Sequence, residues 1–176
     1  MIMRIYVADL GAYNAGFLHG TWIDASKNLH AMQEAIDAML AKSPEPNVTR
    51  AKYYCAHCER TFYATQGFSS PLPDSYECDE CGADLPMQGQ PFPSAEEWAI
   101  HDHEGLGDLG EYAGLHEVAR RVQVAELADD RGIPVAVLLE FASERMAGNW
   151  DSDDLESEID DSYRGAWESW RDMAQE

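Results

Sequence analysis

Positive charge is scarce in this sequence. Twelve Lys plus Arg stand against 33 Asp plus Glu in 176 residues, giving a formal net charge of −21. A chain this acidic is repelled by phosphate backbones, which excludes ordinary electrostatic nucleic-acid binding and points to a basic partner. No apolar run approaches the ~20 residues of a membrane helix. Met1-Ile2-Met3-Arg4-Ile5 lacks the basic lead and long apolar stretch of a signal peptide. It reads as a strand, and a cytoplasmic setting is expected. There is no G-x-S-x-G, H-E-x-x-H or P-loop pattern, so nothing in the sequence supports an enzyme. Apolar material is plentiful, at 45% hydrophobic and 10% aromatic, which argues against wholesale disorder. The length allows one ordinary domain or two or three small ones.

The charge is uneven. Residues 1–50 carry five acids and four bases, residues 51–93 six and two, and residues 94–176 carry 22 and six. An acidic surface also serves solubility, but a general bias of that kind would act on every segment alike.

Residues 2–8, rich in β-branched and aromatic side chains, predict a strand. The glycines and Asn14 of residues 9–16 predict a loop, and residues 17–24 a second strand, so the two form a hairpin. Ser26 is a candidate cap for a helix over 27–41, where Leu29, Met32, Ile36 and Leu40 recur at helical spacing. Ser43-Pro44-Glu45-Pro46-Asn47 ends it. Residues 50–93 hold all four cysteines and five of the eight prolines, and read as a self-contained insert. Glu97-Trp98-Ala99-Ile100-His101 returns to strand character, and Gly105 to Gly110 reads as a loop. Helices are expected over 111–130 and, after Pro134, over 135–147, the latter stopped by Gly148 and Asn149. A final short helix is expected over 166–175.

Cys55-Ala-His-Cys58 and Cys78-Asp-Glu-Cys81 are two C-x2-C pairs, the arrangement of a four-thiolate zinc site in a zinc ribbon. Each pair folds as a tight knuckle, and Gly82 suits the second. Four soft thiolates close the coordination shell, so Zn2+ here is expected to be structural. Two disulfides, free thiols or an iron–sulfur cluster are the other readings of the same residues. With few aliphatic residues in the insert, metal binding is expected to supply most of its folding energy. His101-Asp102-His103-Glu104 is the one dense cluster of other chemically capable groups; two His two residues apart on a strand share a face, and a polar strand end is the plainer reading.

Asp151, Asp153, Asp154, Glu156, Glu158, Asp160 and Asp161 put seven acids into eleven residues. If this stretch is helical, Leu155, Ile159 and Tyr163 form an apolar stripe that docks it. The acids then form two rails with about one charge per 2.4 Å of axis, against about one per 1.7 Å in duplex DNA. A loop or a calcium-attracting patch is the alternative, although the EF-hand pattern is incomplete.

Three ordered stretches carry a resemblance. Ile5-Tyr6-Val7-Ala8-Asp9-Leu10-Gly11-x-Tyr13-Asn14-x-Gly16-x-Leu18-x-Gly20-x-Trp22-Ile23-Asp24 resembles the opening hairpin of the ArdA antirestriction family. Glu97-Trp98-Ala99-Ile100-His101-Asp102-His103-Glu104-Gly105 is similar to that family's later strand. Asp161-Ser162-Tyr163-Arg164-Gly165-Ala166-Trp167-Glu168-Ser169 is similar to its D-x-Y-x-G-x-[WY]-x-S stretch. The resemblance implies an elongated protein of small domains in a row that imitates bent B-form DNA, occupies the DNA-binding groove of Type I restriction–modification enzymes, and often dimerises through its last domain. The four-cysteine insert is outside the common family pattern, and the short stretch after Ser169 leads to the expectation of a truncated third domain.

Together these readings predict an α+β fold. A small antiparallel sheet plus helix (residues 1–47 and 94–106) is interrupted by a zinc ribbon (48–93). A helical middle domain (107–150) and an acidic helical segment (151–176) follow. The expected imitating surface is Asp102, Glu104, Asp108, Glu111, Glu117, Asp129, Asp130, Asp151, Asp153, Asp154, Glu156, Glu158, Asp160 and Asp161. The expected partner is a Type I restriction–modification enzyme, with no direct nucleic-acid binding, no membrane association, and a homodimer among the expected states. The alternative function is an acidic zinc-ribbon adaptor for a basic transcription or replication protein, and a metalloenzyme using His101 and His103 is a third.

Overall fold

The computed structural model of the chain describes residues 2–146 and 152–162. In chain order its elements are β1 (Arg4–Asp9), α1 (Leu10–Asn14), β2 (Gly20–Asp24), α2 (Leu29–Leu40), β3 (Val48–Cys55), β4 (Arg60–Gly67), β5 (Ser75–Glu77), β6 (Asp84–Ser94), β7 (Trp98–Glu104), α3 (Leu115–Arg131), α4 (Val135–Arg145) and α5 (Ser152–Ser162). The fold is therefore α+β, as the sequence predicts. Among the described residues no helix is long and apolar enough to cross a membrane. The chain divides into two compact units, residues 1–122 and 123–176. Asp151, Gly148, Asn149, Tyr163 and the expected helix over 166–175 lie outside the described residues.

The first unit holds a three-stranded antiparallel sheet in the order β2-β1-β7. Arg4 sits opposite Asp24 on one side and Glu104 on the other. Ile5, Val7 and Ile23 alternate onto one face and bury there with Met32, Ile36, Met39 and Leu40 of α2. The stretch expected to be a loop after β1 contains α1 instead. Asp9, fully buried, accepts from the Ala12 N–H at 3.1 Å and so nucleates that turn. The cap of α2 is Asn28, whose side chain accepts from the Ala31 N–H, while Ser26 accepts from the Asn28 N–H.

Residues 105–110, read from the sequence as a loop, have the spacing G-x-G-x-x-G. Here it is structural. Leu106 and Leu109 plug the core. A Cβ at Gly105, whose φ is +74°, would lie 2.4 Å from the Ile2 carbonyl. No helix begins until Leu115, so the phosphate-binding context is missing.

Between α2 and β7 the chain builds a second antiparallel sheet, in the order β4-β3-β6-β5. β3 pairs with β4 without interruption from Val48↔Gly67 to Cys55↔Arg60. β6 carries Pro86, Pro91 and Pro93. Pro91 lies in a bulge, where pairing with β3 jumps from Arg50↔Phe92 to Lys52↔Gln88 and leaves Gly89, at φ +78°, in the same extra stretch, whereas Pro93 and Pro86 hold register opposite Thr49 and Ser75.

In the second unit Val124, Ala128, Leu138, Ala142, Leu155 and Ile159 form one aliphatic core. Gly132, at φ +64°, closes α3, with the Ile133 N–H bonded to the Ala128 carbonyl at 2.8 Å. Pro134 caps α4.

Candidate metal centre and acidic surface

The four cysteines are free thiols whose sulfur atoms all lie within 4.8 Å of one another. They come from two matching turns. Cys55 ends β3, and the Cys58 N–H points at its sulfur at 3.4 Å. Cys78 follows β5, and the Gly82 N–H bonds its carbonyl at 2.8 Å. The residue after each knuckle's second cysteine has a left-handed backbone: Glu59 at φ 53° and Gly82 at φ 70°. Across the knuckles, Cys55 lies 3.6 Å from Cys81 and Cys58 lies 3.9 Å from Cys78. This cluster can hold a metal ion. Without a cation the cluster resists full ionisation. The Cys58 thiol is pushed up to about 12 by its hydrogen bond with Cys81 and by burial, whereas Cys78 is lowered, first by a backbone hydrogen bond from Cys81.

The sheet that carries these knuckles is fastened to α2. Asp37, almost wholly buried, sits 2.9 Å from Arg50 Nη1 and accepts from Gln33 at 3.0 Å. Arg50 also donates to Thr65 and lies over the Tyr63 ring. The Thr61 N–H donates to His30 Nε2 at 3.3 Å. Arg60 pairs with Glu80 and so ties one knuckle to the other. None of these partners is adjacent in sequence, and the sequence reading missed them; a buried-length Asp37 on the apolar face of a helix was the available signal.

The acidic segment is helical. Leu155 and Ile159, at 0% and 4% exposure, dock α5 on the aliphatic core. Asp153, Asp154, Glu156, Asp160 and Asp161 are exposed and Glu158 is half-buried. Among the described residues, Arg131 and Arg145 reach it. Arg131, at the end of α3, donates to Asp160 at 2.6 Å and to Glu156 at 2.8 Å. Arg145, at the end of α4, donates to Glu158 at 3.0 Å and to Ser162 at 2.7 Å. The Arg131 guanidinium holds the Asp160 carboxyl below its usual range. Glu158 is lowered first by the Ser162 hydroxyl and then by Arg145.

The remaining expected acids divide. Glu104 forms a two-pronged pair with Arg4, which lowers its carboxyl. Glu117 binds Arg120 and Arg121 within its own helix, and Glu111 lies 3.6 Å from His101. Asp102 accepts from the His103 N–H. Asp108, Asp129 and Asp130 are exposed and held by no ion pair among the described residues.

His101 and His103 do not behave as a strand pair. Val7 faces Ile100 and Tyr6 faces Asp102, so His101 is the extra residue of a bulge that interrupts the alternation. His101 stands edge-on to Tyr13 with ring centres 5.0 Å apart. Among the described residues, the four cysteines are the one group placed to hold a metal.

The family model described as "Antirestriction protein (ArdA)" matches residues 5–176. No curated protein and no solved structure matches.

Proposed function

We propose that this chain, which belongs to the ArdA antirestriction family, inhibits Type I restriction–modification enzymes by entering their DNA-binding groove in place of DNA. The observation that carries this reading is α5, an acidic helix anchored by buried Leu155 and Ile159. A fixed helix presents its carboxylates at set positions, as a duplex presents phosphates. The arginines support the same reading. By bridging Glu156 and Asp160, Arg131 orders two side chains before any partner arrives, which lowers the entropy lost on binding. The second unit carries 15 acids and four bases, so much negative charge is left over. Carboxylates contact the Lys and Arg that otherwise bind phosphates, and no base edge is copied. Inhibition is therefore indifferent to the enzyme's recognition sequence.

The proposed surface comprises the acids of α5 with Asp102, Glu104, Asp108, Glu111, Glu117, Asp129, Asp130 and Asp151. The protein is an inhibitor rather than an enzyme, and its site of action is the cytoplasm of the host cell. The metal is Zn2+. Zn–S bonds of about 2.3 Å give a tetrahedron with sulfur–sulfur edges of about 3.8 Å, and the 3.6 and 3.9 Å separations bracket that value. Cys55, Cys58, Cys78 and Cys81 close the shell, so the ion supplies folding energy to a ribbon over 48–93 and no chemistry.

The test is restriction of unmodified DNA with and without the protein, repeated across ionic strengths. Inhibition is expected to weaken steeply as salt rises, because many ion pairs form together. Single neutralisations such as Asp129→Asn change it by roughly a few-fold at most. Reversing Asp129, Asp130, Asp153 and Asp154 to Lys together is expected to abolish it while circular dichroism stays unchanged. A quadruple variant that folds and inhibits like the parent ends the charge-imitation reading.

A further inference from the structure

The bulge at His101 and the segment that follows β7 build a pocket of about 400 Å³ beside this edge strand. The bulge takes the His101 ring out of the strand's alternation and sets it edge-on to Tyr13 of α1. The Ile100 N–H donates to the Glu111 carbonyl at 3.1 Å, which pins Glu111 against the strand. Asp102 joins the lining, with its Oδ1 held by the His103 N–H at 2.8 Å. Ile100 and Leu109, both buried, supply the apolar part.

Two carboxylates, aromatic rings and an apolar base are the parts of a site for an organic cation. Among the described residues no Lys or Arg lines it. Glu111 Oε1 lies 3.6 Å from His101 Nε2, beyond hydrogen-bond length, and so stays open to a donor. Tyr13 keeps half of its surface exposed. The chain itself shows what fills such a set of parts. Farther along the same strand, Glu104 holds Arg4 in a two-pronged pair, and that guanidinium lies 4.4 Å over the Trp22 ring. In α5, Arg131 bridges Glu156 and Asp160. In both places the carboxylates meet the chain's own arginine. The pocket beside Tyr13 has the same chemistry and leaves the arginine to be supplied from outside.

We propose that this pocket receives one arginine side chain of the enzyme's DNA-binding groove. Its guanidinium lies against the Tyr13 ring and donates to Asp102 and Glu111. This contact rests on the charge-imitation reading and names one anchor within it. Arginine suits the pocket better than lysine: its planar fork reaches two carboxylates, it stacks on a ring, and it is more weakly hydrated. The receiving groups are already held by the His103 and Ile100 amides and by the Tyr13–His101 contact, so little order has to be imposed when the arginine arrives. A ring that copies no phosphate then takes part in capture. The pocket acts as a hot spot in a surface whose other exposed acids each contribute little.

Restriction of unmodified DNA by a Type I enzyme, titrated with the full chain and its variants, tests this. Tyr13→Ala is expected to weaken inhibition by roughly tenfold with unchanged circular dichroism. Its decline with salt stays as steep as the parent's, because no charge is lost. Tyr13→Phe, which restores the ring, is expected to recover the inhibition lost in Tyr13→Ala. Asp102→Asn and Glu111→Gln each cost roughly tenfold, more than Asp129→Asn on the open surface. In the free protein, millimolar arginine amide is expected to shift the Tyr13 and His101 ring resonances, and lysine amide to shift them less. Pocket variants no weaker than Asp129→Asn overturn the proposal, as do equal shifts from the two amides. With the quadruple lysine variant inactive, charge imitation survives either result. Tyr13→Phe as weak as Tyr13→Ala assigns the effect to the hydroxyl and also overturns it. A quadruple variant that inhibits like the parent ends the imitation reading, and the two amides then decide the pocket by themselves.

Discussion

Residues 48–94 and helices α3 to α5 each bring groups of like charge close together. In the first, four thiols lie within 4.8 Å of one another. In the second, six acids occupy the eleven residues of α5. Neither arrangement is stable with every group ionised and unaccompanied. The ribbon answers with a site for a metal ion, and the helices answer with Arg131 and Arg145 from α3 and α4. The difference follows from what else each region has to hold it. Two of the five buried residues in the ribbon's core, Cys55 and Cys78, belong to the cluster itself, beside Ala51, Tyr53 and Leu85. The second unit has an aliphatic core that does not depend on its charged groups. Removing a bound metal is therefore expected to remove the fold in the first case, and removing an arginine only to trim it in the second.

The largest effect expected from this contrast is metal removal. If the four thiolates hold zinc as proposed, a chelator that strips it forfeits binding free energy on the order of 10 kcal/mol. Hydrogen exchange is expected to show the amides of β3, β4, β5 and β6 losing protection together, while those of α3, α4 and α5 keep theirs. The Cys78→Ser variant is expected to match the chelated protein. A chelated ribbon that retains protection breaks the comparison, because its small core would then suffice alone.

The cysteine spacing and the Leu155–Ile159 stripe were legible because both are local: a pair two residues apart, and apolar side chains one helical turn apart. The α+β class followed from the same short-range patterns. What was not legible depends on partners far along the chain. Arg131 reaches Glu156 and Asp160, 25 and 29 residues on, and nothing in the local pattern of either segment announces the meeting. The bulge at His101 is likewise set by the register of β1 against β7, and α1 by a carboxylate turned inward at Asp9. Of the prolines in β6, Pro91 sits where a bulge removes the need for its N–H, whereas Pro86 and Pro93 keep register with Ser75 and Thr49, a placement no local pattern announces.

A smaller effect separates the two regions by pH. Asp160 and Glu158 are held below the ordinary carboxylate range, so the stability they contribute is present above about pH 4, where the unfolded groups ionise, and is lost as pH falls through their folded values. Arg131→Gln removes the Asp160 part of that dependence, because the guanidinium is what holds the Asp160 carboxyl low. Thermal unfolding monitored at α5 is expected to place the variant below the parent near pH 7 and to close the gap below about pH 4. The ribbon is expected to respond to acid differently in both proteins, by releasing its metal as protons compete for thiolate. Equal acid sensitivity of α5 in parent and variant would count against the arginine's role.

The smallest effect compares the two knuckles within the ribbon. Each turns through a left-handed residue, which is Gly82 in one and Glu59 in the other. Glycine adopts that backbone freely, whereas a residue with a Cβ is strained there by about 1 kcal/mol. Glu59→Gly relieves the strain but also loosens the unfolded chain, which returns part of the gain. The net is expected to be a stabilisation below about 1 kcal/mol, read as slower metal loss to a chelator. Gly82→Ala introduces the same strain in the second knuckle, where the Cys78 carbonyl accepts from the Gly82 N–H, and is expected to speed that loss. Opposite signs at these two equivalent positions tie metal retention to knuckle geometry; equal signs would place the limit elsewhere, in the Arg60–Glu80 tie or the sheet beneath.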